Sequence, residues 1–286
     1  MTLGDDDAPA LVPCLCLRIM GSFPKEARAM AHVADRPDVQ ILDNFIGGRW
    51  VKAQTTEFFD VHNPALGEVI GRTPLSSAAD VDAAVQAASR AFPAWRETPV
   101  GSRAQVLFRF KALLEQHFTD LARTVTTEHG KTLDEARGSL RRGIECVEVA
   151  CGAPSLMQGS ALEDIAAGID CHVVRQPLGV CAAIAPFNFP AMVPMWFLPF
   201  AIVTGNTLVL KPSEQVPLSQ RKMVDLLQQC DLPAGVVNLV NGSSDVVNAI
   251  CDHPGIRAVS FVGSTPVARH VYQRATHAGK RVQALG

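Results

Sequence analysis

Apolar positions change period along the chain. Asn44 to Val51 (N-F-I-G-G-R-W-V) holds two short apolar runs about a Gly-Gly pair and predicts a hairpin. Ser77-x-x-Asp80 is a capping-box pattern, and Val81, Ala84, Val85, Ala88 and Phe92 fall on one helical face after it. Ser102-x-x-Gln105 opens a second expected helix, with Val106, Phe110, Leu113, Leu114 and Leu121 on its stripe. A third groups Leu133, Ala136, Leu140, Ile144 and Val147.

The second half alternates. Strands are expected at Val180 to Ala185, Thr207 to Leu210, Val236 to Val240, Ile256 to Val262 and Arg281 to Leu285. Between them, Met223, Leu226, Leu227 and Cys230 keep helical spacing, Asp245 to Ile250 reads as helix, and Thr265-Pro266 starts another with proline suited to its first position. Strand and helix in alternation predict an α/β protein, a parallel sheet covered by helices.

From Gln176 to Leu210 there is no Asp, Glu, Lys or Arg. Length alone would allow a membrane helix, but Pro177, Pro186, Pro190, Pro194 and Pro199 interrupt the run and remove backbone donors. The expectation is a strand, a tight loop, a proline-interrupted helix and a second strand, buried in a soluble core. Residues 1–38 differ in pattern from the rest of the chain. Asp5, Asp6 and Asp7 stand where a targeting peptide carries positive charge. This part is expected to be a disordered extension, with Met30 an alternative start and one domain over 39–286.

Composition narrows the function classes. Of 286 residues 48% are hydrophobic and 19% charged, enough for a sizeable core. A net charge of -2 argues against a nucleic-acid binder living on phosphate neutralisation. Cys14, Cys16, Cys146, Cys151, Cys171, Cys181, Cys230 and Cys251 are scattered without C-x-x-C spacing. They read as reduced thiols of a cytoplasmic protein, and no metal-ligand spacing accompanies them.

Three strand ends carry candidate chemistry, because open parallel sheets bind ligands beyond the carboxyl ends of their strands. Ala185-Pro186-Phe187-Asn188-Phe189-Pro190 braces one side-chain amide between prolines; Asn188 is either an oxyanion donor or the partner of a buried carbonyl. Lys211-Pro212-Ser213-Glu214 suits ribose hydroxyls, or is a turn with an ion pair. Gly263-Ser264-Thr265 is a phosphate cradle at a helix start, or an ordinary helix cap.

Taken in this order, the proline-flanked asparagine loop, the K-P-S-E strand end and the F-x-G-S turn resemble the aldehyde dehydrogenase superfamily, from about Ile41 to Gly286. Ala185 to Trp196, Arg142-Gly143-Ile144-Glu145 and Cys151 to Leu156 are similar to its CoA-acylating methylmalonate-semialdehyde dehydrogenase branch. The resemblance implies a Rossmann-like NAD-binding domain. It implies oxidation of malonate or methylmalonate semialdehyde by NAD, with the acyl group passed to coenzyme A, in a homotetrameric enzyme without membrane attachment. Asn188 matches the oxyanion asparagine. Lys211 and Glu214 match ribose-binding positions, with Ala185, Phe187 and Gln215 lining the same groove, although relatives often carry Arg at the position of Gln215. Ser264 matches a pyrophosphate contact, and Arg142 an arginine that holds the substrate carboxylate. By periodicity alone, Arg142 lies about half a turn off the apolar stripe of its helix.

The family's nucleophilic cysteine is expected beyond residue 286, and none of the eight cysteines is assigned its role. The last acidic residue is Asp252, so the final strand carries no carboxylate base. Thiohemiacetal formation needs a thiolate. The chain is therefore expected to be the cofactor-binding part of an enzyme truncated before its catalytic domain, inactive alone. Two alternatives are an enzyme recruiting Cys146, Cys151 or Cys181, and a non-enzymatic NAD-binding or decoy subunit.

Overall fold

The computed structural model describes residues 39–286, so the expected disorder of 1–38 and the alternative start at Met30 fall outside the described residues. The first strands are β1 (Gln40–Ile41), β2 (Asn44–Ile46), β3 (Arg49–Val51), β4 (Phe58–Asn63) and β5 (Glu68–Pro74). β2 and β3 form the expected hairpin. Gly47 and Gly48 sit at φ +61° and +83°, the left-handed pair that matches a two-residue turn to strand twist. β4 and β5 pair antiparallel, with β1 parallel to β5; period-2 reading did not find this sheet.

Four long helices precede the main sheet: α1 (Ala78–Glu97), α2 (Val100–Gln116), α3 (Phe118–His129) and α4 (Leu133–Cys151), followed by the short α5 (Ala153–Leu156). The Ser77/Asp80 capping box is present on α1, and Val81, Ala84, Val85 and Ala88 are buried. Phe92 is half-buried, its ring lying 5.7 Å below the Arg96 guanidinium. One expectation fails here. The stripe from Val106 to Leu121 belongs to two helices, broken at His117, and α2 starts from Pro99 rather than Ser102. The apolar spacing continues across the break because both helices face the same core.

Next come β6 (Ser160–Ala166), β7 (Ile169–Val173), β8 (Val180–Ile184), α6 (Met192–Val203), β9 (Thr207–Lys211), α7 (Leu218–Gln228), β10 (Val237–Leu239), α8 (Ser244–Asp252), β11 (Ile256–Val262), α9 (Thr265–His277) and β12 (Arg281–Leu285). The charge-free stretch is thus strand, loop, helix and strand. No helix among the described residues is long and apolar enough to cross a membrane. β6 and β7 form a separate hairpin that buries neither face, with Leu162, Ile165, Ile169 and Val173 all more than half exposed.

The main sheet runs β12-β11-β8-β9-β10-β2-β3. Its first five strands are parallel, and the β2–β3 hairpin adds antiparallel to β10. All five residues of β9 are buried, as a strand covered on both faces requires. One core holds Phe110, Leu140, Ile144, Met195, Ile202 and Leu227 from α2, α4, α6 and α7. The other holds Val81, Val85, Val246, Ile250 and Val271 from α1, α8 and α9 on the opposite face. At the seam of α4 and α6 the helices approach closely over a glycine: a Cβ on Gly143 would stand 2.3 Å from Met195 Cε and 3.2 Å from Met192 Cα. Buried Arg103 donates from Nε to the Val203 carbonyl at 2.8 Å, satisfying an acceptor at the end of α6.

Candidate functional site

Chain order and strand order disagree at one place. From β8 the chain moves to β9 and β10 on one side, then returns through α8 to lay β11 on the other side of β8. Loops leaving β8 and β11 at their carboxyl ends therefore diverge, and such a switch point is where open parallel sheets hold ligands. Register brings the candidate residues to its rim: Ile184 pairs with Lys211 on one side and with Phe261 on the other. Ala185 continues β8 past that level, its buried amide donating to the Lys211 carbonyl at 3.0 Å.

Lys211 is only 4% exposed. Its Nζ donates to Glu214 Oε2 at 3.0 Å. Burial pushes the ammonium below the usual lysine range, and the Glu214 carboxylate opposes the shift. The loop carrying Glu214 is tied at both flanks, since Thr73 Oγ1 donates to the Glu214 carbonyl at 2.9 Å and Glu128 receives the first amides of α7. Glu214 is half-buried and Gln215 exposed, so the carboxylate lies between a buried cation and solvent.

On the other side of the switch, Ser264 is exposed at the N-cap of α9 and its side chain makes no capping hydrogen bond. The first turn of this 13-residue helix carries no acidic residue. Amide donors and a free hydroxyl suit a pyrophosphate, just as a carboxylate beside a cation suits hydroxyls that donate and accept. The residues present therefore fit a dinucleotide. Gly263 permits the tight exit from β11, because a Cβ there would come within 2.5 Å of the Phe261 ring.

The asparagine loop follows β8. Phe187 and Asn188 are exposed, and the Asn188 amide makes no hydrogen bond among the described residues, so no buried carbonyl claims it. Its backbone carbonyl accepts from Lys131 Nζ at 2.8 Å. Arg142 is exposed on α4, in keeping with its place off the apolar stripe, and forms no ion pair among the described residues. The structure thus brings Ala185, Lys211 and the Ser264 turn to one rim. Arg142 stands apart on α4, one residue from the Gly143 contact with the first turn of α6. Sequence reasoning missed Glu128, His129 and Lys131. Gly130, in the left-handed conformation at φ +84°, was the legible signal of a helix stop there.

The sequence profile of the aldehyde dehydrogenase family matches residues 50–286. The chain belongs to the aldehyde dehydrogenase family. Malonate-semialdehyde dehydrogenase 1 of Geobacillus kaustophilus (strain HTA426) is 53% identical over 250 residues, which are 87% of this chain and 51% of that protein. The solved methylmalonate-semialdehyde dehydrogenase of Oceanimonas doudoroffii superposes with a TM-score of 0.84 at 48% identity, covering 87% of this chain and 51% of its own. A Sinorhizobium meliloti 1021 structure complexed with NAD gives a TM-score of 0.83 at 44% identity, covering 85% of this chain and 50% of its own. The chain spans about half the length of these relatives. Its α/β fold is that of the aldehyde dehydrogenases over this span.

Proposed function

We propose that residues 39–286 are the NAD-holding part of a CoA-acylating dehydrogenase acting on malonate or methylmalonate semialdehyde. The observation that carries the reading is the switch-point rim, where buried Lys211 with its half-buried partner Glu214 and the uncapped Ser264 end of α9 flank Ala185. When bound, NAD supplies the hydride acceptor. Lys211 and Glu214 address ribose hydroxyls, with Phe187 and Gln215 beside them, and Ser264 with the α9 amides addresses the pyrophosphate. The free amide of Asn188 is a donor for a carbonyl oxygen gaining charge. Arg142 offers a fork to the substrate carboxylate, and coenzyme A is the acyl acceptor. The exposed β6–β7 hairpin favours assembly with further copies, since its apolar side chains lack cover. Six free cysteines among the described residues favour a reducing compartment, the cytoplasm.

Calorimetric titration of this chain with NAD tests the reading. Saturable binding is expected, weakened by Lys211→Ala and by Ser264→Ala; no heat of binding, or binding indifferent to both, overturns it.

A second reading, an NAD-binding subunit without turnover by itself, is favoured by the thiols. Burial pushes Cys181, Cys230 and Cys251 up to about 11 and raises Cys146 and Cys151 as well, the opposite of an activated nucleophile. NADH formation by the purified chain from malonate semialdehyde and coenzyme A would refute that reading.

A further inference from the structure

The turn that closes α3 touches both loops of the proposed cofactor crevice. Glu128, buried at 2% exposure, accepts from the Leu218 amide at 2.6 Å and from the Ser219 amide at 3.1 Å. These are the first amides of α7, where the loop that leaves β9 after Lys211 and carries Glu214 and Gln215 ends. Gly130 then reverses the chain, and Lys131 Nζ donates to the Asn188 carbonyl at 2.8 Å while standing 4.5 Å from the centre of the Phe189 ring. Between them the His129 ring stacks on Phe187, with centroids 6.3 Å apart and planes 18° from parallel. Four consecutive residues therefore hold the two loops from one rigid helix end. Gly130 itself is fitted tightly, since a Cβ there would lie 3.1 Å from Pro64.

We propose that Glu128 and Lys131 are positioning residues that fix the Glu214 loop and the Asn188 loop relative to each other. The proposal rests on the NAD reading of the crevice. The Lys131 tie is a charge-assisted hydrogen bond, stronger and more directional than a neutral one, and the Glu128 carboxyl accepts two neighbouring amides at once. Both end on backbone groups, so they set where a loop runs and leave the side chains of Glu214 and Asn188 to face a ligand. A dinucleotide extended from the ribose side to the reacting carbonyl needs those two loops at one spacing, and small misplacements at such sites are costly.

The test compares the nucleotide-free chain with Glu128→Gln, Lys131→Met and Lys131→Arg by amide hydrogen exchange, and then by NAD titration. Glu128→Gln is expected to speed exchange at Leu218 and Ser219 and also at Phe187, Asn188 and Phe189. Lys131→Met should do the converse, and Lys131→Arg should keep the parent pattern, with β9 and β10 unchanged in every variant. NAD affinity should fall about tenfold in Glu128→Gln and in Lys131→Met, and the double variant should lose little more than either. Exchange confined to the loop whose own tie was cut, or fully additive affinity losses, overturns the proposal. Should Glu128→Gln fail to fold, the two Lys131 variants carry the test, because Lys131 is half-exposed at the turn. If the parent chain does not bind NAD, the functional reading falls while the exchange result still decides whether the turn couples the loops.

Discussion

Replacing Glu128 by Gln should change how stability depends on pH. Burial pushes the Glu128 carboxyl from its ordinary 4.5 up to about 7; hydrogen bonds from Ser219 and Leu218 and the nearby Lys222 cation oppose that rise without cancelling it. The unfolded chain loses this proton near 4.5, while the native chain keeps it to about 7. Between those values the native state binds the extra proton, so its stability falls as pH rises through the window and levels off above it. The gap corresponds to about 3 kcal/mol. Gln cannot ionise, and its one acceptor oxygen serves only one of the two amides, a pH-independent loss of about 1 kcal/mol. Urea unfolding followed by far-ultraviolet circular dichroism, at intervals from about pH 4.5 to 8, gives both curves. The other carboxylates titrate alike in the two proteins, so the difference between the curves isolates Glu128. Its expected course is parent more stable at the acid end, with that advantage shrinking or reversing by about pH 8. Parallel curves would mean that the α7 amides outweigh burial, and the reasoning would be wrong.

Gly143→Ala should overpack the α4–α6 seam and cost about 1–3 kcal/mol in denaturant unfolding, since Met195 can swing away but the Met192 backbone cannot; an unchanged midpoint would mean a compliant seam. Leu140→Ala, at a fully buried position, should cost about 2–5 kcal/mol, and a loss below that range would indicate collapse around the site. At about pH 7.5 iodoacetamide should label Cys230 and Cys251 far more slowly in the native chain than in the unfolded one, because burial holds each thiol near 11. Equal rates would contradict that burial.

Much of the architecture was legible where a signal repeats along the chain. The Ser77 capping box, the Gly47-Gly48 turn and the strand-helix alternation after residue 180 are local patterns, and each appears where its spacing put it. Expectations failed where that spacing carries no such information. The α2–α3 break lies inside a continuous stripe, because both helices serve one core. The β6–β7 hairpin has no buried face, so nothing in Ser160–Ala166 or Ile169–Val173 alternates toward a core. Among site residues, the strand-end segments stood out for their proline, glycine and charged positions. Glu128 did not, because a single carboxylate near a helix end reads as solvent-facing until the partner that buries it is known.

The order of elements, the apolar faces of its helices and the three strand-end segments are properties of neighbours a few residues apart, and the chain alone specifies them. Tertiary structure decided which strands lie side by side. Only the return of β11 to the far side of β8 brings three segments scattered along the sequence to the same end of the sheet, on either side of the switch point. Only packing brings Glu128 to Ser219 across 91 positions and Lys131 to Asn188 across 57. Helix and strand periods are set by backbone geometry within one or two turns. The pairing of a buried charge with a distant amide is set by which surfaces the whole chain can bury together, and no local pattern encodes that choice.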